Sequence, residues 1–313
     1  MRHVITVTLN PALDQTGNLQ ILKPGAVNLI ERASLRPAGK GINVACVLAQ
    51  LGQSVIVTGF LGSDNDNDFV ELFKQWKMTD AFVRVPGNTR VNVKLAESNG
   101  RVTDVNFPSF EVAKAYQKEL IEQLTELVND NSLVVIAGSL PRGVDPGYIQ
   151  QLIGTVKANG GKVYVDTSGA ALKAAVLAEP DLLKPNIDEF AELVGESVSK
   201  TNLPALVNSV CDSSVQTLVV SAGRDGLYSF GPFGQHQCLP PKVEIESTVG
   251  AGDTLVAGLS LGWLTDSSTE KCLIRASALA AWAVTQHGVD VPSAQKLEQL
   301  MAEVEFKALE QGG

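Results

Sequence analysis

In STVGAGDTLVAGL, residues 247–259, glycines flank Ala251, an aspartate follows directly, and an apolar run comes after it. Glycines allow backbone conformations that a side chain would forbid, and an apolar run behind an aspartate reads as the first turn of a buried helix. Such a start presents free N–H groups and the positive end of the helix dipole. Gly250, Ala251 and Gly252 could therefore hold a transferring anion while Asp253 takes a proton from an attacking hydroxyl. Phosphoryl transfer needs mainly this positioning and charge stabilisation. An aspartate of ordinary pKa is ionised at neutral pH, so the base needs no special tuning. The plainer alternative is a glycine turn with Asp253 as an ordinary N-cap.

A second stretch, RPAGKGINVACVLAQLG (36–52), repeats the theme. Gly39 and Gly41 would bring backbone close to a ligand at the start of an apolar helix, with Lys40 and Asn43 turned towards it. Neither stretch is a Walker A loop, because no G-K-[ST] occurs in the chain, and neither is a dinucleotide fingerprint, because Leu255 stands where the third glycine is needed. A third stretch, residues 88–107, alternates Val91, Val93 and Leu95 with Arg90, Asn92 and Lys94, and Asn99-Gly100 supplies hairpin turn chemistry. Its period of two puts Arg90, Asn92 and Lys94 on one face. Two cations there invite a phosphate, which favours a sugar already phosphorylated over a free sugar. The plain alternative is a solvated strand face.

These residues need a frame. Short apolar runs, most of them β-branched, at 4–9, 54–60, 133–138, 162–166, 181–184 and 217–223 are separated by stretches with helical spacing such as Ile42, Ala45, Leu48 and Ala49. That alternation predicts an α/β fold with a mostly parallel central sheet covered by helices on both faces. Ligands in such sheets gather beyond the carboxyl ends of the strands. Asn10, Asp14, Ser139, Asp166, Asn186 and Ser221 follow the runs there. The ribbon at 88–107 must cover a cleft, a partner or both, and the segment near 15–37 is its companion.

The 313 residues carry a net charge of −9 and are 44% apolar, a globular composition that argues against nucleic acid or an anionic membrane as partner. Cys46, Cys211, Cys238 and Cys272 stand far apart, and His3, His236 and His287 lack metal-site spacing. The N-terminus has no signal-peptide pattern and no apolar stretch reaches bilayer length, so a soluble, cytoplasmic protein is expected.

Together, TLNPALD (8–14), AGKGINVA (38–45), GSLPRG (138–143), KPNIDE (184–189), SAGRDG (221–226) and the glycine–aspartate stretch stand in the order shown by the ribokinase-like sugar kinases, the phosphofructokinase B family, which this chain resembles. The resemblance covers most of the chain. It implies a single ribokinase-like kinase domain over 1–313, with a small β-sheet lid formed by about 15–37 and 88–107. TLNPALD, AGKGINVA and TRVNVKL (89–95) are similar to the branch acting on phosphorylated ketohexoses, which implies ATP-dependent phosphorylation of fructose 1-phosphate at its 6-hydroxyl. Tagatose 6-phosphate, fructose 6-phosphate, or a sugar-phosphate sensor on the same fold are the alternatives.

Carried over position by position, the resemblance implies Asp253 as base and Gly250, Ala251 and Gly252 as anion hole. Asp14, Gly39, Lys40, Asn43, Arg90, Asn92, Lys94 and Ser139 are implied for the sugar phosphate. Lys184, Asn186, Glu189, Ser221, Gly223 and Gly226 are implied for the nucleotide. Mg²⁺ would come with ATP and meet Asn186 and Glu189 through water, since it is a hard cation that keeps several waters. Many members carry an acid where Ser247 stands, so a K⁺ requirement stays open. The resemblance further implies a homodimer through the lid and leaves room for a regulatory protein partner. Trp282 and Gln286 could border the adenine, with core packing the plainer role for Trp282.

Overall fold

The computed structural model describes residues 2–199, 202–211, 215–232 and 234–309. In chain order the strands are β1 (His3–Thr8), β2 (Ala12–Leu19), β3 (Arg32–Ala38), β4 (Val55–Gly62), β5 (Thr79–Val85), β6 (Arg90–Glu97) and β7 (Val102–Asn106). They continue as β8 (Ser132–Ala137), β9 (Lys162–Asp166), β10 (Leu182–Leu183), β11 (Thr217–Ser221), β12 (Leu227–Gly231), β13 (Gly234–Leu239) and β14 (Glu305–Ala308). The helices are α1 (Lys40–Gln50), α2 (Asn67–Gln75), α3 (Lys114–Leu127), α4 (Gly147–Ala158), α5 (Gly169–Val176), α6 (Ile187–Val194), α7 (Leu203–Cys211), α8 (Ala251–Leu264), α9 (Thr269–Ala283) and α10 (Ala294–Ala302).

Each of the six apolar runs contributes a strand to one large sheet, ordered β14-β13-β12-β11-β10-β9-β8-β1-β4-β5. From β11 to β5 every pairing is parallel. The strands β12, β13 and β14 continue the sheet antiparallel. The alternation of side chains divides the core between two faces. Ile5, Val7, Val134 and Ile136 join one cluster with residues of α3 to α7, while Val4, Leu133 and Val135 join another with residues of α1, α2 and α8. Helices on both faces follow from that division.

Helix α8 is buried all round from Asp253 to Gly262, which is why its sequence shows no polar face. Gly258 makes this possible: a Cβ there would lie 2.5 Å from Ala276 Cα, so only glycine lets α8 and α9 approach so closely. Strand β5, TDAFVRV, carries no clear run in the sequence because polar residues interrupt its apolar ones.

A second sheet, ordered β3-β2-β6-β7, stands apart from the first. β2 and β6 are parallel, with β3 and β7 antiparallel on the outside. Its first hairpin begins at Ala12, slightly ahead of the expected segment, and the ribbon turns at Gly100, where φ is +87°. The register aligns Arg36, Asp14, Asn92 and Asn106 in one row, and Leu35, Gln15, Val93 and Val105 in the next. Successive rows face opposite ways, so one face is polar and the other largely apolar. Cys46, Cys238 and Cys272 are free thiols; the Cys211 side chain lies outside the described residues. Among the described residues no helix is long and apolar enough to cross a membrane.

Candidate active site

Two cavities meet at the start of α8. The first, of about 430 Å³, lies between the polar face of the small sheet and the carboxyl ends of the parallel strands. Charged and amide side chains dominate its wall. The second, about 450 Å³, is lined largely by apolar residues including Val243, Ile245, Leu255 and Val284. Ser221 and Gly252 line both.

Asp253 occupies the third position of α8, so it is not the N-cap; Gly250 is, in the left-handed conformation at φ +83°. A Cβ at Gly250 would also meet Val289 Cγ1 at 2.9 Å, so the turn that aims the helix start into the site requires glycine. First-turn N–H groups have no acceptor within their own helix and point with the dipole at whatever lies before it. Gly250 lines the first cavity, Ala251 the second, and Gly252 their junction.

Asp253 is 7% exposed, and Asn43 Nδ2 donates to its Oδ2 at 2.7 Å. Burial and then repulsion from Asp166 push its carboxyl up to about 6, while the Asn43 hydrogen bond, Lys40 and Lys184 pull it down. The ordinary pKa expected from sequence is thus corrected, because only the packed helix shows that the carboxylate is desolvated. The group remains mostly ionised at neutral pH and is a better proton acceptor than an exposed aspartate.

The sugar-side residues assemble as follows. Gly39 is the N-cap of α1 and lines the first cavity with Lys40 and Asn43 of that helix. Gly41 does not face the cavity; it packs against Val7 and Thr8 of β1. Asp14 accepts from Asn92 Nδ2 at 3.0 Å across the β2–β6 register, and both line the cavity. Arg90 donates to the backbone oxygens of Asn10 and Pro11 at 3.3 and 3.4 Å. Burial lowers its pKa and nearby Asp14 partly restores it. Among the described residues it has no salt-bridge partner, so its guanidinium can receive an anion. Two expected residues stand outside the wall. Lys94 reaches only towards Asp14, 3.9 Å away, and Ser139 is engaged by Asn10 Nδ2 at 3.1 Å.

The nucleotide-side residues divide between the cavities. Lys184, Asn186 and Glu189 line the first. Asn186 and Glu189 form a reciprocal capping box on α6: Asn186 Oδ1 accepts from the Glu189 N–H and Glu189 Oε2 from the Asn186 N–H, each at 2.8 Å. This leaves Glu189 Oε1, 4.0 Å from Lys40 Nζ, facing the site. Gly223 and Gly226 line the second cavity. Trp282 and Gln286 do not. Both donate to the Asp290 carbonyl, and α9 lines that wall with Ser277, Ala280 and Ala281 instead.

Asp166 is the residue the sequence reading left without a role. It ends β9, is 1% exposed, and its Oδ1 lies 3.2 Å from Lys40 Nζ and 3.3 Å from Lys184 Nζ. Its place at a strand's carboxyl end was the available signal. The apolar wall built by Pro240, Pro241 and Val243 was also missed, since no motif marks it.

Comparison with known proteins agrees with this geometry. Residues 7–296 match the pfkB family of carbohydrate kinases. A 1-phosphofructokinase of Vibrio cholerae is 41% identical over 309 residues, covering 98% of each chain. One from Haemophilus influenzae is 38% identical over 99% of this chain and 100% of its own. Among solved structures, phosphofructokinase-2 from Escherichia coli in complex with potassium superposes with a TM-score of 0.90 at 28% identity, covering 96% of this chain and 99% of that one.

Proposed function

The chain belongs to the pfkB family of carbohydrate kinases, and we propose that it transfers the γ-phosphoryl group of ATP to the 6-hydroxyl of fructose 1-phosphate. The products are fructose 1,6-bisphosphate and ADP. The observation that carries the reading is the placement of Asp253: a buried carboxylate at a helix start where a charged cavity meets an apolar one. The charged cavity suits a sugar phosphate and the apolar one a purine. The pfkB family match and the 1-phosphofructokinase relatives support the choice of reaction.

In the reaction, the sugar hydroxyl gives its proton to Asp253 as its oxygen forms the bond to the γ-phosphorus and the bond to the ADP oxygen breaks. Asn43 holds Oδ2, which leaves Oδ1 to accept the proton. The N–H groups at Gly250–Gly252 and the ammonium groups of Lys40 and Lys184 offset charge on the moving group. Arg90 receives the phosphate already on the sugar, and Asp14 and Asn92 beside it hold hydroxyls. The oxygen donors of Asn186 and Glu189 fit a hard cation brought by ATP and met through water, because their capping box leaves little free for direct ligation. Mg²⁺ bound there supplies charge neutralisation on the phosphates.

The small sheet acts as a lid over the sugar, its polar face inward. Its outer face exposes Leu35, Val105 and Phe107, with Val27 and Leu29 at the hairpin beside them. A second copy of the chain covers that face in a homodimer. The deciding experiment is ADP formation from ATP and Mg²⁺ with fructose 1-phosphate, fructose 6-phosphate and tagatose 6-phosphate compared by kcat/KM. Preference for fructose 1-phosphate is expected. Preference for a 6-phosphate overturns the choice of substrate, and binding without turnover overturns the kinase reading in favour of a sensor.

A further inference from the structure

Asp166 sits where three elements converge, and its bonding is lopsided. Oδ1 is shared by Lys40 of α1 and Lys184, which follows β10, at 3.2 and 3.3 Å. Oδ2 is buried and has no hydrogen-bond partner among the described residues. Lys184 is itself 3% exposed, and its Nζ lies 3.8 Å from where a Cβ on Gly252 would stand, against the helix start shared by both cavities. Two ammonium groups so close to one another repel unless a carboxylate lies between them.

We propose that Asp166 is a positioning residue of the transfer reaction: from the end of β9 it fixes the ammonium groups of Lys40 and Lys184 at the cavity junction as a clamp for the phosphoryl group in transit. This rests on the kinase reading above and assigns the site a further member. The two ammonium groups, held by Asp166 and faced by Glu189 and Asp253, stand beside the helix start where a multiply negative group can meet them. The unequal use of its two oxygens follows, since the charge of Asp166 is directed to the lysines. The groups facing Asp253 are Asp166 from β9, Lys40 and Asn43 from α1, and Lys184 behind β10. Burial works against the charge on Lys40, and Asp166, Asp253 and Glu189 together outweigh it.

A purely architectural ion pair would tie β9, β10 and α1 together, and its loss would cost stability while leaving kcat of the folded protein close to that of the wild type. The test therefore measures kcat and KM as functions of pH and follows Asp253 directly, by ¹³C carboxyl NMR titration of the free full-length protein. Asp166→Asn is expected to lower kcat by about 10²-fold, the scale of a small misplacement of reacting groups. It should also move both the Asp253 midpoint and the acid limb of kcat to lower pH, because a like charge has gone and two cations remain. Asp166→Glu is expected to recover part of both. A kcat of folded Asp166→Asn close to that of the wild type overturns the proposal, and so does an unchanged Asp253 midpoint. If Asp166→Asn does not fold, Lys184→Met carries the test with opposite sign: its midpoint should rise, and an unchanged midpoint overturns the clamp. Absence of turnover with any sugar phosphate in the wild-type protein overturns the kinase reading alone, because the NMR titration needs no turnover.

Discussion

Replacing Asp253 by Asn should make the protein more stable as it makes it inactive. In the folded chain, burial and then Asp166 raise the carboxyl from 3.8 to about 6 against the pull of Asn43, Lys40 and Lys184. Between those two values the folded protein binds more protons than the unfolded chain. The contribution of Asp253 to stability is therefore complete below the lower value, is lost as pH rises through the upper one, and stays constant above it. That interval corresponds to about 3 kcal/mol, at about 1.4 kcal/mol per tenfold change in proton affinity. It is a sizeable share of the roughly 5–15 kcal/mol that holds a domain folded. Asparagine keeps the shape, does not titrate, and still offers an oxygen to Asn43. Urea unfolding should show Asp253→Asn more stable than wild type by about 3 kcal/mol near pH 8 and close to parity near pH 4. ADP formation by the same variant should fall by about 10²- to 10⁴-fold. A stability difference that is the same at both pH values would refute the argument that this carboxylate is held charged against its burial.

Arg90→Ala should raise KM for the sugar phosphate by about 10- to 10²-fold, the scale of a lost charged hydrogen bond, while leaving KM for ATP nearly unchanged; equal effects on both substrates would remove Arg90 from phosphate recognition. Gly250→Ala forces a side chain into the left-handed region and towards Val289, so a loss of about 1–2 kcal/mol in thermal or urea unfolding is expected, together with a fall in kcat. Unaltered kcat would show that the turn does not aim the helix start. Val105→Glu puts a charge on the apolar outer face of the small sheet, and sedimentation should report a dimer for the wild type and a monomer for the variant; dimers in both would place the interface elsewhere.

Much of the architecture was legible because it depends on local pattern. The six apolar runs became strands, and the glycine–aspartate and glycine–lysine stretches became the starts of α8 and α1. The alternation at 88–107 identified β6 and β7, since a period of two needs no tertiary information to be read. The antiparallel edge of β12 to β14 was not legible. Gln235, His236 and Gln237 lie in β13 among few apolar residues, and that strand exists because β12 and β14 supply its hydrogen bonds. The site shows the same division. Residues inside glycine-rich motifs were found with their roles, whereas Asp166 was marked only by its place at a strand's carboxyl end and given no role, because a lone aspartate after a strand carries no spacing that indicates one.

What the chain specifies by itself is the chemistry available at each strand end and helix start: a base behind glycines, cations on one face of a ribbon, amides and an acid in an N-x-x-E turn. Residue type and local period suffice for that. Only the tertiary structure decides which of these groups share a wall and in what charge state. It seats Ser139 and Lys94 off the cavity, replaces Trp282 with Ala280 and Ala281 against the apolar wall, and joins Lys40 to Lys184 through Asp166. It also raises the pKa of Asp253, which no sequence motif encodes, because desolvation and a neighbouring carboxylate arise from packing between α8, α1 and β9.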